Sequence, residues 1–462
     1  MAMKIPRWVY KRIQEICQHI VGDDAKAIKR RDVLRQFLTD IWLNVASDVE
    51  DGKVGWAICT LRDIRHHYGL LVAECCFRID GKKKRGTILD MLPYVAPDVQ
   101  HMRGRANLDP KQRKSGHWRF NPKRPDSDIG YLRLVDAKTG AKSSIMGLLK
   151  NYTATHEFTL ISKSQYELKQ QEKAWLRGVM RGRMHISFIK ALKSCTNEYH
   201  VRAGILSLNH LFNARREGDY ITYDHTYRLT FGGRYYDRVF QNLSNKLKST
   251  FRKGLLNYDI KACNLACLNV LFKRYGVDYR VSSSIYAKMM KKTGLTRKQC
   301  KRLVHTTSFR IGRVTHGVTN GLGEAIYEWF EEDRRAALKL LRWWDGYVAP
   351  LRDALNELLE RIHKQHKKTC ASPRCYHLYS NDIGIILDLK DERFDREKEH
   401  HQQYARDKSL LAHMTFGVEQ AYIREVIRLN PGKICMLDHD GLVAVEEITA
   451  PEMEEFTLEI KP

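Results

Sequence analysis

The chain has 462 residues, 43% of them hydrophobic, which excludes a disordered polyelectrolyte and allows two or three domains with cores of their own. Its 80 Lys and Arg against 54 Asp and Glu leave a formal charge of +26, which points to a polyanionic partner. No apolar run approaches the roughly 18 residues of a membrane span, so nucleic acid is the expected partner and a membrane is not.

The opening stretch, MAMKIPRWVYKRI, lacks the apolar segment and cleavage site of a secretory leader, and the 11 cysteines are scattered through apolar stretches. The expectation is a cytoplasmic protein of a bacterial or phage-infected cell, not secreted, with reduced core thiols. Residues 1 to about 80 read as mostly helical, with Trp8, Ile13, Ile16, Cys17 and Ile20 on one face and Val33, Leu34, Phe37, Leu38, Ile41 and Trp42 on another. Leu70–Ile79 fits a strand or a helix, and GKKKRG at 81–86 reads as a basic turn. From His101 to Arg124 cations alternate with His117, Trp118 and Phe120, a composition suited either to gripping phosphates while stacking on bases or to a solvated loop. Residues 164 to about 216 read as helix with a basic face.

At Thr230 the character changes. FGGRYYDRVFQNLS offers paired glycines, the cation Arg234, the ring of Tyr235 and the amide of Gln241. The stretch LLNYDIKACNLACLNV at 255–270 then passes from a short apolar strand to helical spacing, with Asp259 at the junction. A carboxylate there is either a helix cap or a metal ligand. Next, Arg297, Lys301, His305 and Phe309 recur every fourth residue, which on a helix sets two cations, an imidazole and a ring in one row, fit to clamp a triphosphate. Finally, ICMLDHDGLVAV at 434–445 reads as an apolar hairpin with Asp438, His439 and Asp440 at its turn. Two Mg²⁺ ions, with Mn²⁺ as a substitute, held by Asp259 and Asp440 would serve nucleotidyl transfer, since Mg²⁺ uses one or two carboxylates plus substrate phosphates.

In this order and spacing the three stretches resemble motifs A, B and C of the family A DNA polymerases and the related single-subunit phage RNA polymerases, over roughly residues 230 to 445. Motif B of those enzymes runs Arg-x3-Lys-x7-Tyr, which Arg297, Lys301 and Phe309 match with Phe in the Tyr place; motif C is matched by His439 and Asp440, and the motif A acid by Asp259. The resemblance implies an α+β right-hand polymerase, with a palm built on an antiparallel sheet and helical fingers around 280–345. It places Asp259, Asp440 and Ile260 at the metals and Arg297, Lys301, His305, Phe309, Asn264 and His413 at the nucleotide. Arg234, Tyr235, Gln241 and His439 would meet nucleic acid. YHLYSNDIGIILDL at 376–389 would form a hairpin between motifs B and C.

Two departures bear on the sugar. Asn264 stands where the DNA polymerases carry a Glu that excludes a ribose 2′-hydroxyl, and His413 falls near a sugar-contacting His of the phage RNA polymerases. The expected organisation is a basic, mainly helical accessory domain over 1–160, a helical thumb-like or linking region over 161–229, and palm and fingers over 230–462. The expected activity is template-directed synthesis, DNA-templated DNA synthesis first, with a compact RNA polymerase or primase, or a non-catalytic nucleic-acid-binding replication protein, as alternatives. Template, nucleoside triphosphates and a protein partner complete the expected set, in the setting of a phage, plasmid or other mobile element. His363, His366, Cys370, Cys375 and His377 cluster in sequence, but their spacing departs from common zinc modules and zinc is not expected.

Overall fold

The structure, a computed structural model, describes residues 3–20, 27–43, 57–58, 68–71, 75–79, 82–89, 92, 96–102, 117–120, 122, 134–143 and 175–461, less 226, 283, 315–316, 319–320, 371 and 396–398. Most of the basic segment 101–124, and 144–174, lie outside the described residues.

The chain is a mixture of helices and small antiparallel sheets. Its organising sheet has four antiparallel strands in spatial order β3 (Ile434–Asp438), β4 (Gly441–Ala444), β1 (Leu256–Ile260) and β5 (Leu458–Lys461), and strand β2 (Leu378–Ser380) lies outside it. β2 instead pairs with Ile386–Asp388, so the hairpin expected over 376–389 forms.

The apolar runs around both acids are explained by burial on two sides. Cys435, Met436 and Val443 face a core that gathers residues from Met3 to Phe251, including Phe37, Trp42, Phe188 and Phe240. Ile434, Leu437, Leu442, Ala444, Tyr258 and Ile260 face a second core, built from helices α1 (Cys263–Tyr275), α2 (Arg297–Ser308), α3 (Arg334–Tyr347), α4 (Ala349–Thr369) and α5 (Glu399–Leu429). A register shift between Ile434 and Met436 lets the neighbours Cys435 and Met436 join the same side. A sheet covered on both faces has no polar side to alternate with.

The first core draws on described residues from all three expected regions. Within the first 80 residues the helices Arg7–Ile20 and Ala27–Leu43 form as expected, but Cys75–Ile79 and Lys82–Gly86 are paired strands, which replaces the basic turn. In the sequence Asp80-Gly81, a dipeptide suited to a hairpin, separates the two strands, and the run of lysines hid that signal. The helical reading of 164–216 is corrected likewise: Gly182–His185 and Phe212–Glu217 flank Tyr220–Asp224 in a three-stranded sheet, with helices Ser187–Ser194 and Glu198–Asn209 between them. Met184 is fully buried while Arg183 and His185 are half-buried, a period of two that the cations disguised. Among the described residues no helix is long and apolar enough to cross a membrane.

Candidate active site

Asp259 and Asp440 meet at one end of the central sheet. Asp259 pairs in register with Gly441, and the Ile260 N–H donates to the Asp440 carbonyl at 3.1 Å, so the two acids are neighbours across β1 and β4. Asp440 and His439 make the two-residue turn between Asp438 and Gly441, with His439 at φ 59°. Gly441 lets this turn lie close: a Cβ there would stand 2.8 Å from the Tyr258 carbonyl oxygen and 3.4 Å from Asp259 Oδ1. Asp259 does not cap the helix after it. That position belongs to Ala262, in the left-handed region at φ 48°, which turns the chain from strand to helix within two residues.

The acid pair is electrostatically strained. Burial and the neighbouring Asp440 charge raise the Asp259 carboxyl, against Lys461, whose Nζ sits 2.5 Å from Asp259 Oδ2, and against Lys301. Among the described residues the Asp440 carboxylate makes no hydrogen bond or ion pair. A hard divalent cation suits this donor set: two adjacent carboxylates, one without a protein counter-charge, with the Ile260 side chain buried so that only its backbone could join them. Among the described residues no group of three His, Cys, Asp or Glu could hold a metal, so substrate oxygens would have to complete the shell.

Helix α2 begins with a capping box between Thr296 and Gln299 and lays its row against the acids. Arg297, exposed, has its guanidinium 5.8 Å from the Tyr286 ring centre, and exposed Lys301, one turn on, lies within electrostatic reach of Asp259. A further turn brings His305 to Asn264 on α1, whose Nδ2 donates to His305 Nδ1 at 2.8 Å. Burial and Lys301 push His305 down to about 4, so the ring is neutral at pH 7 and its proton sits on Nε2. His305 Nε2 and Asn264 Oδ1 are both buried without a hydrogen-bond partner among the described residues. A buried ring N–H and a buried amide oxygen thus stand unsatisfied on one hydrogen-bonded pair, and turning the amide over merely exchanges their roles.

Arg234 reaches the same site from the glycine-rich lead-in. Its guanidinium lies 3.7 Å from the centre of the Phe416 ring and grips fully buried Glu419 through Nε at 2.7 Å and through a second contact from Nη2. Burial opposes the charge, but Glu419 outweighs it and the Arg234 guanidinium is held above its usual range. Gly232, at φ 73°, makes room: a Cβ would meet Phe416 at 2.7 Å. Phe309 caps α2 with its ring 5.8 Å from Phe416, so one aromatic stack links the row on α2 to Arg234.

Three expected site residues are placed in the framework instead. Tyr235, 3% exposed, accepts from Arg424 at 3.2 Å; Gln241 bonds the carbonyls of Tyr235 and Leu437; His413, 1% exposed, donates to the carbonyls of Tyr379 and Ile385 and so fixes the hairpin of β2 to α5. Gln241 and His413 are held inside by backbone oxygens, and Tyr235 by a guanidinium. His439 is exposed at the turn, its ring 6.0 Å from Tyr236. Asp438 turns away from Asp440 and pairs with Lys248 at 2.6 Å. In the cysteine and histidine stretch His363 bonds Tyr379 and Asp407, His366 lies against the Tyr379 ring, Cys370 donates to the Ser372 carbonyl, and His377 lies 3.8 Å from Asp388.

Sequence reasoning missed Glu419, Lys461 and Phe416. Glu419 had a signal, a carboxylate at the buried period of Leu411, Val418, Tyr422 and Val426; Lys461 had none, being one cation among many.

No known family profile and no curated protein matches the sequence. Among solved structures, the chain is similar to the POL domain of Pol1 from M. smegmatis in complex with DNA primer-template and dNTP, with 13% identity and a TM-score of 0.34 over 58% of this chain and 47% of that one. The chain therefore spans about half the length of that domain.

Proposed function

We propose that this chain is a template-directed nucleotidyltransferase with a right-hand arrangement, extending nucleic acid from nucleoside triphosphates on a DNA template. The observation that carries the reading is the adjacency of Asp259 and Asp440 across two hydrogen-bonded strands, under a helix that turns Lys301 toward them. Asp259 and Asp440 would hold Mg²⁺ or Mn²⁺, which when bound supplies Lewis-acid charge at the attacking hydroxyl and the departing pyrophosphate. Lys301 and Arg297 would bind and orient the triphosphate, as a point charge and a fork set one turn apart. Lys461 would keep the acid pair tolerable in the absence of substrate. Arg234, held flat by Phe416 and Glu419, would contact the nucleic-acid strand beside the acids.

DNA synthesis is the first reading. A second, polymerisation of ribonucleotides by an RNA polymerase or primase, is favoured by the Asn264–His305 pair, whose orphaned donor and acceptor fit a sugar hydroxyl. The test is extension of a labelled primer on DNA and RNA templates with Mg²⁺, with dNTPs and NTPs offered separately and a primer-free lane beside them. Product that vanishes in Asp440→Ala and Asp259→Ala, both still binding DNA, is expected. Incorporation unchanged in either variant would overturn the assignment of the acids.

A further inference from the structure

Helix α3 carries a feature that the acid pair does not use. Its inward face buries Ala337, Leu340, Leu341 and Trp344, while Arg335, Lys339 and Arg342 are exposed on the opposite side and make no ion pair among the described residues. Along one flank of this basic face the Tyr347 ring, 41% exposed, stacks on Trp343 at 5.1 Å and 29° and on Trp344 at 5.7 Å and 20°. Buried Trp344 in turn donates its indole N–H to Thr307 of α2 at 2.8 Å. Exposed Tyr347 and half-buried Trp343 are thereby anchored to the helix that bears Lys301 and His305. Folding alone gives no reason to leave a stacked ring in water beside three cations without ion pairs, and an aromatic step flanked by cations at one-turn intervals is what stacked bases and their phosphates require.

We propose that the outer face of α3 is a docking platform for single-stranded nucleic acid, with Trp343 and Tyr347 stacking on bases and Arg335, Lys339 and Arg342 tracking the phosphates. Charge complementarity selects this occupant: the chain as a whole carries +26, and Arg335, Lys339 and Arg342 are exposed along one side of the helix. The platform stands on its own observation and does not depend on the catalytic reading.

The test is fluorescence anisotropy of a short labelled oligothymidylate with the full chain, without nucleoside triphosphates, over a series of salt concentrations, with a duplex of equal length as comparison. Trp343→Ala and Tyr347→Ala are each expected to weaken single-strand binding roughly five- to hundredfold and duplex binding far less. Arg342→Glu should weaken binding and flatten its salt dependence. Met453→Ala, exposed and outside both the platform and the acid pair, should bind as the unaltered chain does. Thermal melting checks that each variant is folded; Tyr347 and Arg342 are exposed, so these two keep the test open should Trp343→Ala unfold. Unaltered affinity in both Tyr347→Ala and Arg342→Glu would overturn the proposal. So would equal losses on single strand and duplex, or competition by polyglutamate as strong as by DNA, since either would mean a merely cationic surface.

Discussion

Gly441 offers the sharpest lever on the acid pair. In Gly441→Ala the added Cβ would lie 2.8 Å from the Tyr258 carbonyl oxygen, 3.2 Å from that of Asp438 and 3.4 Å from Asp259 Oδ1. All three neighbours are held, two by sheet hydrogen bonds and the third by Lys461, so the turn must withdraw from β1 by about 0.6 Å to restore ordinary contact. Overpacking of this kind costs about 1–3 kcal/mol of stability. The catalytic cost is larger than that figure suggests, because Asp440 moves away from Asp259 with the turn, and misplacement by ~1 Å costs on the order of a hundredfold in rate. Urea unfolding and single-turnover primer extension measure the two separately. A useful contrast is Gly346→Ala in α3, where nothing lies within 4 Å of the new methyl group. It should raise stability by about 0.5–1 kcal/mol through helix propensity alone. If Gly441→Ala extends primers at the unaltered rate, the close seating of the hairpin is not what aligns the acids.

Three further outcomes follow from the same geometry. Glu419→Gln leaves the Arg234 guanidinium without its buried counter-charge and should cost about 3 kcal/mol in urea unfolding, discounted somewhat because the Arg234 side chain is 24% exposed. Asp259→Asn should abolish extension yet raise the melting temperature at pH 7: the folded protein holds this carboxyl above its ordinary range, so its ionised form disfavours the fold, and the gain should vanish at acid pH, where the carboxyl is protonated in both folded and unfolded chains. Asn264→Glu breaks the bond to His305 and sets a carboxylate where a sugar hydroxyl would sit; incorporation of NTPs should fall relative to dNTPs, and an unchanged ratio would remove this pair from sugar selection.

That Asp259 and Asp440 interrupt strands, and that the cationic row lies on one helix, was legible in the sequence because both rest on short-range features: a polar residue interrupting an apolar run, and a four-residue period. It also made legible the hairpins at 376–389 and 434–445, where apolar runs flank turn residues. The framework roles of Tyr235, Gln241 and His413 were illegible, because a polar side chain that binds substrate and one that satisfies a buried carbonyl look alike in one dimension. Lys82–Gly86 and Gly182–His185 misled for a related reason: charge dominates the local composition, while the pairing that makes them strands comes from partners elsewhere in the chain. Lys461 and Asp259 are some two hundred positions apart, and only the sheet brings them together.

The sheet that bears Asp259 and Asp440 is also a party wall. Cys435, Met436 and Val443 belong to the interior built by the first 251 residues, while Leu437, Leu442 and Tyr258 belong to the interior built by the helices that follow. A fragment begun at residue 230 would strip much of one side of that wall and leave an apolar surface in water, so the half that carries the two acids is not a detachable cassette. A substitution at Phe240 alters the same interior on which Cys435 and Met436 of the wall rest.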